Sequence, residues 1–160
     1  MIYSTAMIFH LAELNVARMK ASLDDPAMAG FVAGLQPLNA LADASPGFVW
    51  RLIEEGGEDS TGLRPFGPDM LVNLSVWEDV ESLRAYTYQT RDHLEAVRRR
   101  REWFHHDSVG EHLVMWWIPA GTLPTLKEAG ERRDLLNRSG PCPEAFTLRR
   151  PFPAPRAAAV

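Results

Sequence analysis

The residues able to do chemistry gather in one stretch, Met70 to Phe104, which holds Asn73, Trp77, Tyr86, Tyr88, His93, an arginine run and Trp103. His93 follows Tyr86 by seven residues, nearly two helical turns, so both can point the same way. A histidine so placed can serve as a general base near neutral pH or as an axial haem ligand. His10 is the second candidate base. Asn15 and Asn73 carry amides that can hold a carbonyl or an oxyanion, and Arg18 can bind an anion. Trp50, Trp77, Tyr86, Tyr88, Trp103 and Trp117 can form the aromatic wall of a pocket for a flat apolar ligand. Each also has a plain structural reading. A tryptophan packs a core, and a lone histidine is commonly solvated or hydrogen-bonded.

Other patterns carry less. His105-His106 would need Asp107 or Glu111 to hold a metal, and no metal is expected. Arg98 to Arg101 are consecutive on a helix and point about 100° apart, so they form an ion-paired face rather than one anion fork. The sequence has no G-x-S-x-G, no H-E-x-x-H and no phosphate-cradling glycine loop, which sets hydrolase and nucleotide chemistry aside. A formal charge of −4 argues against nucleic acid as partner. The single Cys142 excludes an internal disulfide and a cysteine-based zinc site. The apolar residues near the N-terminus are broken by His10 and Glu13 and lack a basic flank. Neither a signal peptide nor a membrane span is expected, and the location expected is cytoplasmic.

These side chains need elements to position them. Met7–Val16 alternates as a first strand, with Phe9, Leu11 and Glu13 on one face and Ile8, His10, Ala12 and Leu14 on the other. After the connector Ala17–Asp25, Asp25-Pro26 starts a helix. Its stripe runs through Met28, Phe31, Val32, Leu35, Leu38, Leu41 and Ala42, and Pro37 predicts a kink near Gln36. Phe48–Ile53 reads as a second strand, Gly56–Asp69 as a long loop, and Leu71–Trp77 as a third strand. Glu78-Asp79 opens the helix that bears Leu83, Tyr86, Thr87, Leu94 and Val97. His112–Ile118 is the fourth strand. Pro124–Asn137 is a short, mostly polar third helix, and a Pro-rich arm follows with Glu144–Arg149 as an edge strand.

The order β-α-β-β-α-β is that of an α+β, ferredoxin-like antiparallel sheet with both helices on one face. Residues 1–139 form the domain and 140–160 the arm. The other face of the sheet stays apolar through Met70, Val72, Leu74 and Val76. Exposed on a monomer, such a face would be a liability, which predicts a homodimer packed sheet against sheet, with the arm reaching across.

The run LVNLSVWEDVESLRAY resembles the strand-to-helix signature of the dimeric α+β barrel superfamily. More narrowly, LAELNVARMKASLDDP, ASPGFVWRL, RRRREWF, HLVMWWIPAG and PEAFTLRRPFP resemble a bacterial family of domains of unknown function within it, over nearly the whole chain. That superfamily includes cofactor-independent monooxygenases of polyketide pathways, haem-degrading monooxygenases, lactone isomerases and haem-dependent dehydratases. The resemblance implies an enzyme of secondary metabolism acting on a hydrophobic aromatic or polycyclic molecule without a cofactor, as a monooxygenase or as an isomerase or cyclase. His93 or His10 would take the proton, Asn73 or Asn15 would hold the oxyanion, and Trp77 and Tyr86 would shape the pocket. A haem-binding alternative draws on the order Asn15, Tyr86, His93, which resembles the haem-degrading branch but has Tyr in place of Trp and a shifted histidine. The third alternative is a non-catalytic binding or assembly dimer.

Overall fold

The central strand, β1 (Phe9–Met19), has eleven residues and is buried along most of its length. Leu11, Ala12, Leu14 and Val16 leave it apolar on both sides, as a strand covered on both faces requires. The computed structural model describes residues 6–93, 99–106 and 110–156, with residues 91–93 described by backbone alone.

The elements then run in order. A 3-10 turn (Pro26–Met28) leads into α1 (Ala29–Asp43), followed by β2 (Phe48–Arg51), β3 (Met70–Trp77) and α2 (Val80–His93). The short α3 (Arg100–Trp103) and β4 (Phe104–His105) precede β5 (Leu113–Pro119) and α4 (Leu126–Ser139). The sheet order is β2-β3-β1-β5, every pairing antiparallel, with β4 continuing alongside the far end of β1. This is the ferredoxin-like arrangement expected from the order of elements. Among the described residues no helix is long and apolar enough to cross a membrane.

Local chemistry sets the element ends. Asp25 accepts from the Ala27 N–H at 2.8 Å and opens the 3-10 turn. Helix α1 continues through Pro37 rather than breaking there. Gly47 turns the chain into β2 at φ +80°, and a Cβ there would stand 2.0 Å from the Ser82 hydroxyl. Only glycine suits that turn. Asp79 accepts from both the N–H and the hydroxyl of Ser82, capping α2. Thr125 and Glu128 open α4 in the pattern of a capping box, with the Glu128 N–H donating to Thr125 Oγ1 at 3.1 Å.

Two expectations change. The apolar second face is covered within the chain. Helix α4 buries Ala129 and Leu136 against Val72, Leu74, Val76, Val114 and Trp116, and Leu63 and Phe66 of the β2–β3 loop complete the cover. Ser60 pins that loop by donating to the Val72 carbonyl at 2.6 Å. The surface that called for a second copy is therefore occupied. The arm also stays on its own sheet. Phe146 exchanges two backbone hydrogen bonds with Met115, at 2.8 and 2.9 Å, in one isolated bridge in place of an edge strand over Glu144–Arg149. Ala145 is buried on the α4 side and Phe146 on the α1–α2 side, so the arm closes the β5 edge.

Candidate functional site

Helices α1 and α2 cover the face formed by the odd-numbered residues of β1 and β3. Register sets Leu11 opposite Trp77, Glu13 opposite Ser75, Asn15 opposite Asn73 and Ala17 opposite Leu71. At one end Leu11, Trp77, Leu83, Met115 and Phe146 form an apolar cluster. At the other, Met19, Met28, Leu71, Trp103 and Phe104 form a second. Between them lies a polar belt of four side chains, Glu13, Ser75, Asn15 and Asn73. Asn73 is exposed, so the belt reaches solvent there.

Glu13 is the unusual member. It is only 8% exposed, and Ser75 Oγ donates to its Oε2 at 2.9 Å. Trp77 Nε1 donates in turn to Ser75 Oγ at 3.0 Å. Burial pushes the Glu13 carboxyl up to about 7, against the smaller opposing effects of the Ser75 hydrogen bond and the Arg100 charge. A carboxyl held there is divided between its protonated and ionised forms near neutral pH, the range that suits a general acid or base. The sequence pattern had placed Glu13 on the same face as Phe9 and Leu11 without giving it a role. The available signal was an acid at an inward position of an otherwise apolar strand.

Beside the belt the aromatic packing is tight. Trp77 stacks on Tyr86 with centroids 5.1 Å apart, and Phe48 meets Trp77 edge-on at 5.4 Å. The Tyr86 hydroxyl donates to the Leu38 carbonyl at 3.3 Å, and burial raises its pKa above the ordinary value. Arg51, opposite Ser75 in the β2–β3 register, is held by Asp43 at 2.8 and 3.2 Å and by the Glu58 carbonyl at 3.0 Å.

The fold brings Asn15, Asn73, Trp77 and Tyr86 to this one face. His10 and Arg18 alternate to the other, where His10 pairs in register with Ile118 and Arg18 lies 3.6 Å from Asp69. Trp50 packs into the α4-side core. The sheet therefore separates these three from the belt. Tyr88 is 56% exposed. Trp103 sits in the second apolar cluster, 5.8 Å from Phe31 and beneath Arg99. Trp117 borders the first cluster and donates to the Phe152 carbonyl at 2.8 Å. The His93 side chain lies outside the described residues.

Haem would need a flat space between sheet and helices, which the Trp77, Tyr86 and Phe48 rings fill in this structure. Among the described residues, those between sheet and helices do not fit it. Among the described residues no three His, Cys, Asp or Glu side chains gather to hold a metal ion. Among the described residues, two surface recesses are lined by none of the four belt side chains. One of about 760 Å³ runs between residues 19–24 and the β2–β3 loop, and one of about 340 Å³ lies along β2.

Comparison with known proteins gives three findings. Residues 10–160 match a family described as a domain of unknown function (DUF3291). Among solved structures, the chain is similar to SnoaB, a cofactor-independent oxygenase from Streptomyces nogalater. The identity is 16%, over 73% of this chain and 96% of that one, with a TM-score of 0.44. No curated protein matches by sequence.

Proposed function

The chain belongs to the DUF3291 family, and we propose from the geometry of its polar belt that it is an enzyme moving a proton on a small hydrophobic, enolisable or phenolic molecule. The observation that carries this reading is the Glu13 carboxyl, buried under the helices and poised at about 7. Ionised Glu13 takes a proton from the substrate carbon or hydroxyl. Asn15 and Asn73, paired across β1 and β3 beside it, donate amide N–H bonds to the oxyanion that forms. His93, on α2, takes no step in this scheme.

Return of the proton at another carbon is isomerisation, and attack of the carbanion within the substrate is cyclisation. Addition of dioxygen to the carbanion gives a hydroperoxide that loses water to a ketone, so a CH2 and one O2 become a C=O and one H2O.

Anthrone, a polycyclic ketone with an enolisable CH2, is a direct probe. Aerobic turnover to anthraquinone should climb as pH rises through about 7, because Glu13 must be ionised to act as base. Glu13→Gln should lower the rate by about 100-fold or more. Full activity in Glu13→Gln would remove the assignment. A non-catalytic binding role is the second reading, favoured by the burial of Trp77, Trp103 and Trp116 as core rather than pocket wall. It gains if wild type binds such compounds but converts none.

A further inference from the structure

Ser75 stands between two groups that constrain its single proton from opposite sides. An indole N–H can only donate, and an ionised carboxylate can only accept. Trp77 Nε1 donates to Ser75 Oγ at 3.0 Å, and Ser75 Oγ donates to Glu13 Oε2 at 2.9 Å. All three groups are buried. In such surroundings successive hydrogen bonds polarise one another, and the bond to the carboxylate is strengthened by the one behind it.

We infer that Trp77 is a positioning residue for Glu13: its N–H locks the Ser75 hydroxyl onto Oε2 and leaves Oε1 as the oxygen that exchanges a proton with substrate. The inference rests on the proposed role of Glu13 as base. For Oε2 to carry the exchanged proton, Ser75 would have to turn its own proton away from both partners. Other charged or titratable groups act on the same carboxyl. Arg100 from α3 favours its ionised form, and Tyr86 from α2 feels its charge. Arg51 from β2 is tied to Asp43 of α1. None of these orients the Ser75 hydroxyl.

The test is a carboxyl ¹³C NMR titration of Glu13 in the full chain, which needs no substrate. Replacing Ser75→Ala should raise the titration midpoint by about one pH unit, and Trp77→Phe by a smaller amount in the same direction. Ser75→Thr, which keeps the hydroxyl, should restore it. Benzothienylalanine at position 77 keeps the bicyclic shape without the N–H, and covers the case in which Trp77→Phe does not fold. It should shift the midpoint as the phenylalanine does. At pH 6, turnover should fall about tenfold for each unit gained. A midpoint that moves with Ser75→Ala but not with either replacement of Trp77 would overturn the relay while leaving Glu13 as base. A wild-type midpoint near the ordinary carboxylate value would instead sink the reading of Glu13 itself.

Discussion

At Glu13 the poise that suits proton transfer is also a stability cost. The folded chain holds this proton up to about pH 7, whereas an exposed glutamate releases it near 4.5. The contribution of Glu13 to stability is therefore most favourable below about pH 4.5, falls as pH climbs towards 7, and stays lower above it. The difference amounts to about 3 kcal/mol at about 1.4 kcal/mol per pH unit. Glu13→Gln, which keeps the shape without the charge, should thus be more stable than wild type at pH 8 and no more stable at pH 4. Urea denaturation at the two pH values checks this, and equal stability at pH 8 would mean that the carboxyl is not held as the structure has it. Loss of activity paired with gain of stability would mark a functional carboxylate rather than a structural one.

At the scale of elements, α4 decides how the sheet is finished. Its exposed side is charged, with Lys127 paired to Glu131 and Arg132 to Glu128. Its inner side contributes Ala129 and Leu136, both buried. Glu128 also accepts from the Trp116 indole at 3.1 Å, which ties the helix start to β5. Leu136→Ala should cost about 2 to 5 kcal/mol, as removal of a buried leucine does, read as a lower denaturation midpoint. The same truncation at Leu123, which is exposed, should change little. In the amino-acid pattern this helix reads as mostly polar and peripheral. Its two buried contacts are too few to announce a core element, and nothing local says which face of the sheet they meet.

For the whole molecule, both faces of the sheet are closed by the chain itself, one by α1 and α2 and the other by α4 with the β2–β3 loop. A chain ending at residue 121 lacks α4 and the arm. It should expose Val72, Leu74, Val76, Val114 and Trp116 together and associate through them. Size-exclusion chromatography beside the intact chain tests this. A truncated chain that stays monomeric and folded would show that α4 is not needed to cover the face.

Much of the architecture was legible because it follows from local rules. Alternation over β1 and β3, the Asp25-Pro26 start, the acidic Glu78-Asp79 helix opening and the order of elements all depend on neighbours a few residues apart, and they predict the ferredoxin-like sheet. Asn73 and Trp77 were legible as one face through the period of two along β3, whereas strand register and the packing of α2 brought Asn15 and Tyr86 to it. What tertiary structure alone decided depends on distant residues meeting. Glu13 looks like any strand carboxylate until Ser75, 62 positions away, donates to it and the helices strip its water. His10, a candidate base by type, falls on the far side of the sheet by a one-residue alternation. The apolar second face could be satisfied by a second copy or by a third helix, and hydrophobicity is indifferent to which. The path of the chain after Pro119 settled it.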